Sequence, residues 1–319
     1  MRQDRINSAS GLDIAAYVDE VVSTDFNMRG VSRQLYLAAC EKLGGHLCLK
    51  AAERLERSKS VLLATGFKIL RFNASLETDG PFSTTLLTMC LEKFVDLNCV
   101  VATDEGGEKI IEKALKAVGV KHAKVYGLPT SFEKSAAMFE KLVEENRPDV
   151  AVAVERPSAN NLGVYHNALG EDVSRLHAPL DRLLEGLRRR GVQLIAYGDG
   201  GNEVGMGLVK EAVMRHVEYG AVCRCGCGGG IASNTEADIL VVSSISDLGV
   251  FGTLALMKTP MLEAVIQNLD TAMKTLTEAG CVDARKGPGY LGVDGFSLDG
   301  IKSVLHLLQA AIRSDARPP

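Results

Sequence analysis

The sequence predicts an α/β fold: a Rossmann-like three-layer sandwich, with a mostly parallel sheet of about six strands and helices on both faces. Two observations carry the prediction. Short β-rich apolar runs recur along the chain, and each is followed by an amphipathic segment of helical length. Residues 11–57 look helical and precede the first run, so 1–57 reads as an N-terminal helical cover. The strand-like runs are "SVLLATG" (60–66), "NCVVATD" (98–104), "HAKVYGL" (122–128), "DVAVAVE" (149–155), "VQLIAYG" (192–198) and "DILVVSS" (238–244). Between them, 81–95, 108–117, 131–145, 176–190 and 203–217 read as helices. Pro81 suits a first helical position, and "KAVG" ends a helix at Gly119. Beyond the sixth run, 259–279 and 297–312 are two more helices joined by the glycine-rich "ARKGPGYLGVDG". With no internal repeat and no long linker, the expectation is one domain over 1–319, with 58–258 as sheet core and 259–319 as C-terminal helices.

Composition excludes several function classes. At 319 residues and 46% hydrophobic, the chain can bury a large core. A net charge of -4, with Lys and Arg spread along the chain, offers no basic stripe for nucleic acid. No apolar run reaches the roughly 18 residues of a membrane span. The start "MRQDRINSAS" lacks the apolar block of a secretory signal, so an intracellular protein without a membrane partner is expected. Cys40, Cys48, Cys90 and Cys99 fall in apolar surroundings, where reduced thiols act as small hydrophobes. The oligomeric state is left open.

In a parallel sheet, residues just past the carboxyl ends of the strands line the ligand crevice. Those positions hold Thr65 and Gly66, Thr103 and Asp104, Glu155 and Arg156, then Gly198, Asp199 and Gly200, and the loop "ETDGP" (77–81) joins them. One crevice would collect Glu77, Asp79, Asp104, Glu155, Asp199 and Glu203. Some of these are also good helix N-caps, but six caps meeting in one crevice is the poorer account. The glycine-rich "LIAYGDGGNEVGMG" (194–207) fails as a phosphate loop: the third glycine position of G-x-G-x-x-G holds Glu203, and no Walker lysine follows. Two carboxylates would repel a phosphate, so the group met here is a cation, an ammonium or a metal, and no organic cofactor is expected. The glycines, Gly200 and Gly201 among them, let backbone N–H groups approach a small ligand.

"TGF" (65–67), "ETDGP" (77–81), "ER" (155–156) with "GVYHN" (163–167), "GDGGNEVGMG" (198–207) and "VDG" (293–295) together resemble the D-glutamate cyclase family, with "NMRG" (27–30) a weaker upstream match. The resemblance implies conversion of D-glutamate into 5-oxo-D-proline with loss of water, a hydro-lyase reaction, with Mg or Mn as a candidate aid. In animal members this region follows another domain and sits in mitochondria, whereas here it stands alone. Location is therefore mitochondrial by resemblance, or cytosolic if the missing presequence is taken at face value. The chain departs from the family pattern at an acidic position, now Leu162, at a tyrosine, now His166, and at an arginine, now Leu169. A later "SNWG" reads "SDLG" (246–249).

Lactam closure needs a neutral α-amine, a bent substrate and a γ-carboxyl group able to lose oxygen as water. Asp199 and Glu203 are the expected acid/base pair, Glu77 and Asp79 the ammonium or metal contacts, and Arg156, Asn167 and Asn202 the carboxylate-holding groups. Gly66, Asp104, Glu155, Gly200 and Gly201 complete the substrate lining, and a metal, if present, would take Asp79, Asp199 and Glu203. An ion pair of Arg156 with Glu155 or Asp199 is the alternative for that arginine. A second candidate is "CRCGCGGG" (223–230), whose cysteines Cys223, Cys225 and Cys227 lack the usual C-x₂₋₄-C rhythm between neighbours, with His216 the only nearby histidine. It reads first as a flexible connector. Two further classes stay open: a non-catalytic module binding an acidic amino acid, and an Mg- or Mn-dependent enzyme acting on another small carboxylate.

Overall fold

The computed structural model describes residues 13–257 and 259–315; the reading of the first ten residues lies outside them. Six strands form one parallel sheet: β1 Ser60–Thr65, β2 Asn98–Asp104, β3 Lys124–Leu128, β4 Val150–Val154, β5 Gln193–Gly198 and β6 Ile239–Val242. Their order is β3-β2-β1-β4-β5-β6, with Leu62 of β1 opposite Val100 on one side and Ala151 on the other. All of β1, β4 and β6 is buried, which explains why these runs are continuously apolar rather than alternating: both sheet faces are covered. The chain builds outward from β1 to β3, then returns to β4 on the other side of β1. Strand order thus reverses between β1 and β4, and the loops leaving those two carboxyl ends diverge to open a crevice.

The helices are α1 Ile14–Ser23, α2 Ser32–Leu43, α3 Leu47–Glu56, α4 Pro81–Cys90, α5 Glu108–Ala117, α6 Phe132–Asn146, α7 Leu180–Arg189, α8 Lys210–His216, α9 Ser246–Met257, α10 Thr259–Glu278 and α11 Leu298–Asp315. Packing of α4, α9 and α10 on one another, with α1 and α3 against α9, builds one layer, while α6 and α7 run beside β3 and β5. Right-handed crossovers put that second pair on the opposite face. The N-terminal cover is locked to itself by Asp19, whose carboxylate accepts from the Leu47 and Cys48 N–H groups at the start of α3. Among the described residues no helix is long and apolar enough to cross a membrane.

Two helix expectations change. The helix expected from residue 203 begins only at Lys210, after a 3₁₀ turn at Gly207–Val209, because Gly205 and Gly207 donate their N–H groups to Thr235 O instead of to a helical ladder. Helix α9 was not expected at all. Nearly every residue in it is buried, so it shows no polar face and therefore no 3.6-residue period to read.

Candidate active site

The crevice at the β1/β4 divergence is acidic and closed. Asp79 enters from the loop after β1, Glu155 follows β4, and Asp199 follows β5; carboxylate oxygens of these three lie within 4.8 Å of one another. Each side chain is buried, with Asp79 3%, Glu155 8% and Asp199 3% exposed. Glu155 holds φ of 42°, a left-handed conformation unusual for a non-glycine residue. The Ser246 hydroxyl donates to Glu155 Oε2 at 2.5 Å. Asp79 Oδ1 accepts from its neighbour Gly80 N–H at 2.9 Å and from Asp247 N–H at 3.2 Å. Asp247 in turn caps α4, its Oδ1 accepting from Gly80 and Ser83 N–H.

So many carboxyl groups in one buried place resist ionisation. Burial first, then the neighbouring carboxylates, pushes Glu77, Asp79 and Glu155 well above the ordinary carboxylate range. Burial raises Asp199 as well, with Arg29 opposing and Asp294 adding. Burial pushes Asp247 up to about 6.

Besides Ser246 and Asp247, two more residues of this site were not singled out from sequence. Arg29 ion-pairs with Asp199 at 2.8 Å and with Asp294 at 3.4 Å, and it also donates to the Ser244 carbonyl. Asp294 is delivered by a turn that Asp283 braces, accepting from Gly295 N–H. Both lie in short motifs already visible in the chain, "NMRG" and "VDG", and that was the available signal.

Other expected members are used differently. Asp104, at the end of β2 beyond β1, does not join the acidic group: both its oxygens accept from the Arg156 guanidinium, at 2.8 and 2.7 Å, and it also accepts from His177 Nδ1 and the Ala178 N–H. Burial works against its charged form, but Arg156 and His177 outweigh it and hold Asp104 well below the ordinary range. Burial lowers His177, so the ring donates as a neutral imidazole. Arg156, fully buried, gives its remaining Nη donors to the Gly66 and Ala178 carbonyls. It is therefore a structural partner of Asp104, neither a free anchor for a substrate carboxylate nor a partner of Glu155 or Asp199. Asn167 closes a local turn, accepting from Leu169 and Glu171 N–H. Asn202 donates to the His166 carbonyl across to the same loop.

Glu203 corrects the reading of the glycine stretch. Its carboxylate accepts from Gly200 N–H at 2.8 Å and Gly201 N–H at 2.7 Å, so the amides expected to meet a ligand hold Glu203 instead. Burial raises its carboxyl while those N–H groups oppose the rise. The oxygen set able to hold a hard cation is then Asp79, Glu155 and Asp199, with Glu155 in place of the expected Glu203. Three departing positions fall elsewhere, Leu162 and Leu169 being exposed and His166 facing sulfur atoms of 223–227, whereas Asp247 of "SDLG" lies inside the crevice and donates its N–H to Asp79.

A family model described as "D-glutamate cyclase-like, C-terminal" matches residues 18–309. The human protein "D-glutamate cyclase, mitochondrial" is 33% identical over 223 residues, covering 65% of this chain and 34% of that relative. The aligned part is thus about a third of the relative's length.

Proposed function

The chain belongs to the D-glutamate cyclase-like family, and on that premise we propose that it is a hydro-lyase closing D-glutamate to 5-oxo-D-proline with loss of water. The observation that carries the reading is the buried trio Asp79, Glu155 and Asp199, a cluster of carboxyl oxygens whose ionised form a small cation would favour. The substrate ammonium is such a cation. An acidic amino acid is then the ligand, and the mitochondrial location in the human relative's name is part of the same proposal.

The reaction balances without an outside proton. The ammonium loses two protons as its nitrogen bonds to the γ-carbon, and these leave with one γ-oxygen as water. The protein must only carry them from nitrogen to oxygen. Asp199, paired with Arg29 beside the other carboxyls, is the proposed base that takes the ammonium proton. Glu155, raised by burial and by Glu203, Asp199 and Asp79, holds a proton readily and serves as the acid for the departing oxygen. Holding both ends of one molecule in the crevice supplies the proximity advantage. In the metal-dependent alternative, magnesium or manganese would be held by Asp79, Glu155 and Asp199 in place of the ammonium, where its positive charge would polarise the γ-carboxyl.

Chromatographic detection of 5-oxoproline from D-glutamate, with and without Mg or Mn, tests this. Asp199→Asn, which keeps shape but removes the base, is expected to lower turnover by roughly 10²–10⁴-fold while the fold persists. A thermal shift by D-glutamate without turnover would support the binding-module reading instead, and neither shift nor turnover would sink the assignment.

A further inference from the structure

The cysteine loop 223–230 gathers a second, separate cluster. Cys223 Sγ lies 3.3 Å from Cys225 Sγ and 3.4 Å from Cys227 Sγ. His166 Nε2, brought in from the 160–170 loop, lies 3.3 Å from Cys225 Sγ and 3.7 Å from Cys227 Sγ. All four ligand atoms fall within 4.8 Å of one another. A tetrahedral zinc with Zn–S bonds near 2.3 Å separates its sulfurs by about 3.8 Å, so the four atoms need to move only slightly to surround one ion.

We propose that His166, Cys223, Cys225 and Cys227 form a closed Cys₃His zinc site that fastens the 223–230 loop to the 160–170 loop. The histidine supplies an independent reason. It is 1% exposed, its Nδ1 has no hydrogen-bond partner among the described residues, and its Nε2 meets sulfur alone. Burying an imidazole with such weak partners is costly unless Nε2 gains a stronger bond, which a metal provides. The surroundings also suit a thiolate: the Gly229 N–H and the Asn160 side chain both donate to Cys227 Sγ. The backbone is prearranged, with Gly170 O accepting the N–H groups of Arg224 and Cys225, and Gly226 and Gly228 at positive φ folding the chain back between the thiols. Soft sulfur ligands favour zinc over the hard ions that suit the acidic crevice.

The sequence hides this site in two ways. The spacing that fits a zinc motif is Cys223 to Cys227, with Cys225 between them, and the fourth ligand is His166 rather than the nearer His216. On binding, three thiol protons pass to solvent and one Zn²⁺ joins three thiolates and a neutral imidazole. The ion would stiffen one wall of the glycine stretch, since the His166 carbonyl accepts from Asn202 and the Gly201 carbonyl accepts from Ser233 N–H.

The test is metal analysis and cobalt substitution of the reduced full chain. Wild type is expected to hold about one zinc per chain. Its cobalt form should show the intense visible bands of tetrahedral cobalt together with a near-ultraviolet thiolate charge-transfer band. Cys223→Ser with Cys227→Ser should lose both signals, His166→Ala should weaken binding, and Asp79→Asn should leave the zinc in place. A wild-type chain that takes up no zinc, a cobalt spectrum without thiolate charge transfer, or zinc unchanged in the double serine variant would overturn the proposal. The cobalt spectrum of wild type decides even if the serine variants fail to fold.

Discussion

Asp199 and Glu203 sit four positions apart in one glycine-rich turn, yet their surroundings give them different work. Asp199 faces Arg29 and the other carboxylates, whereas Glu203 spends its oxygens on the Gly200 and Gly201 N–H groups. Glu203→Gln turns one acceptor into a donor aimed at an N–H, at a cost of about 1–3 kcal/mol in stability. Its turnover loss should follow that loosening, with the shape of the pH–rate profile kept. A profile that loses one limb in the Gln variant would restore Glu203 as the base. The acids of the crevice were legible because strand ends are legible and Asp and Glu stand there. The partition among them was not, since hydrogen-bond partners such as His177 for Asp104 lie 73 residues away in the chain. Arg29 was hidden for the same reason, being 170 residues from the Asp199 it serves.

At the level of elements, periodicity found what is half-covered and missed what is wholly covered. Helix α5 shows one apolar face and matches its expected limits, Glu108–Ala117. Helix α9 is buried all round because α1, α3, α4 and α10 surround it, so no periodic face marked it in the sequence. Its close packing makes a prediction. A Cβ built on Gly252 would stand 2.9 Å from Val22 Cγ1, 3.0 Å from Cys48 Sγ and 3.1 Å from Val18 Cγ1. Gly252→Ala removes a helix-weakening glycine but overpacks the contact of α9 with α1 and α3. Overpacking at about 1–3 kcal/mol outweighs the gain in propensity of about 1 kcal/mol, so chemical denaturation should show a less stable protein. A stability equal to or above wild type would mean that those two helices shift without strain.

For the whole molecule, the crevice sets stability against function. An acid whose folded pKa is raised binds its proton more tightly in the folded state, so its contribution is full below the unfolded pKa and is lost as pH rises through the folded one. Asp247, moved from 3.8 to about 6, has that window, and the upward shifts of Glu77, Asp79, Glu155 and Asp199 extend the loss further towards alkaline pH. Asp104 acts in the opposite sense: held below 3.8, it stabilises above that value and loses its contribution as pH falls through its folded pKa. The two windows scarcely overlap. Melting temperature should therefore fall as pH climbs from about 4 through 6 and beyond, and drop separately in strong acid. Mg or Mn, binding the folded state at Asp79, Glu155 and Asp199, should flatten the upper decline. Asp79→Asn should raise the melting temperature near neutral pH by removing a charge that burial and Asp247 already oppose, while turnover of D-glutamate is lost. The amide can still accept from Gly80 N–H, so the loop has no cause to open. A variant less stable than wild type near neutral pH would show that the carboxylates are not in tension, and with that the reason to expect a cation among them would go.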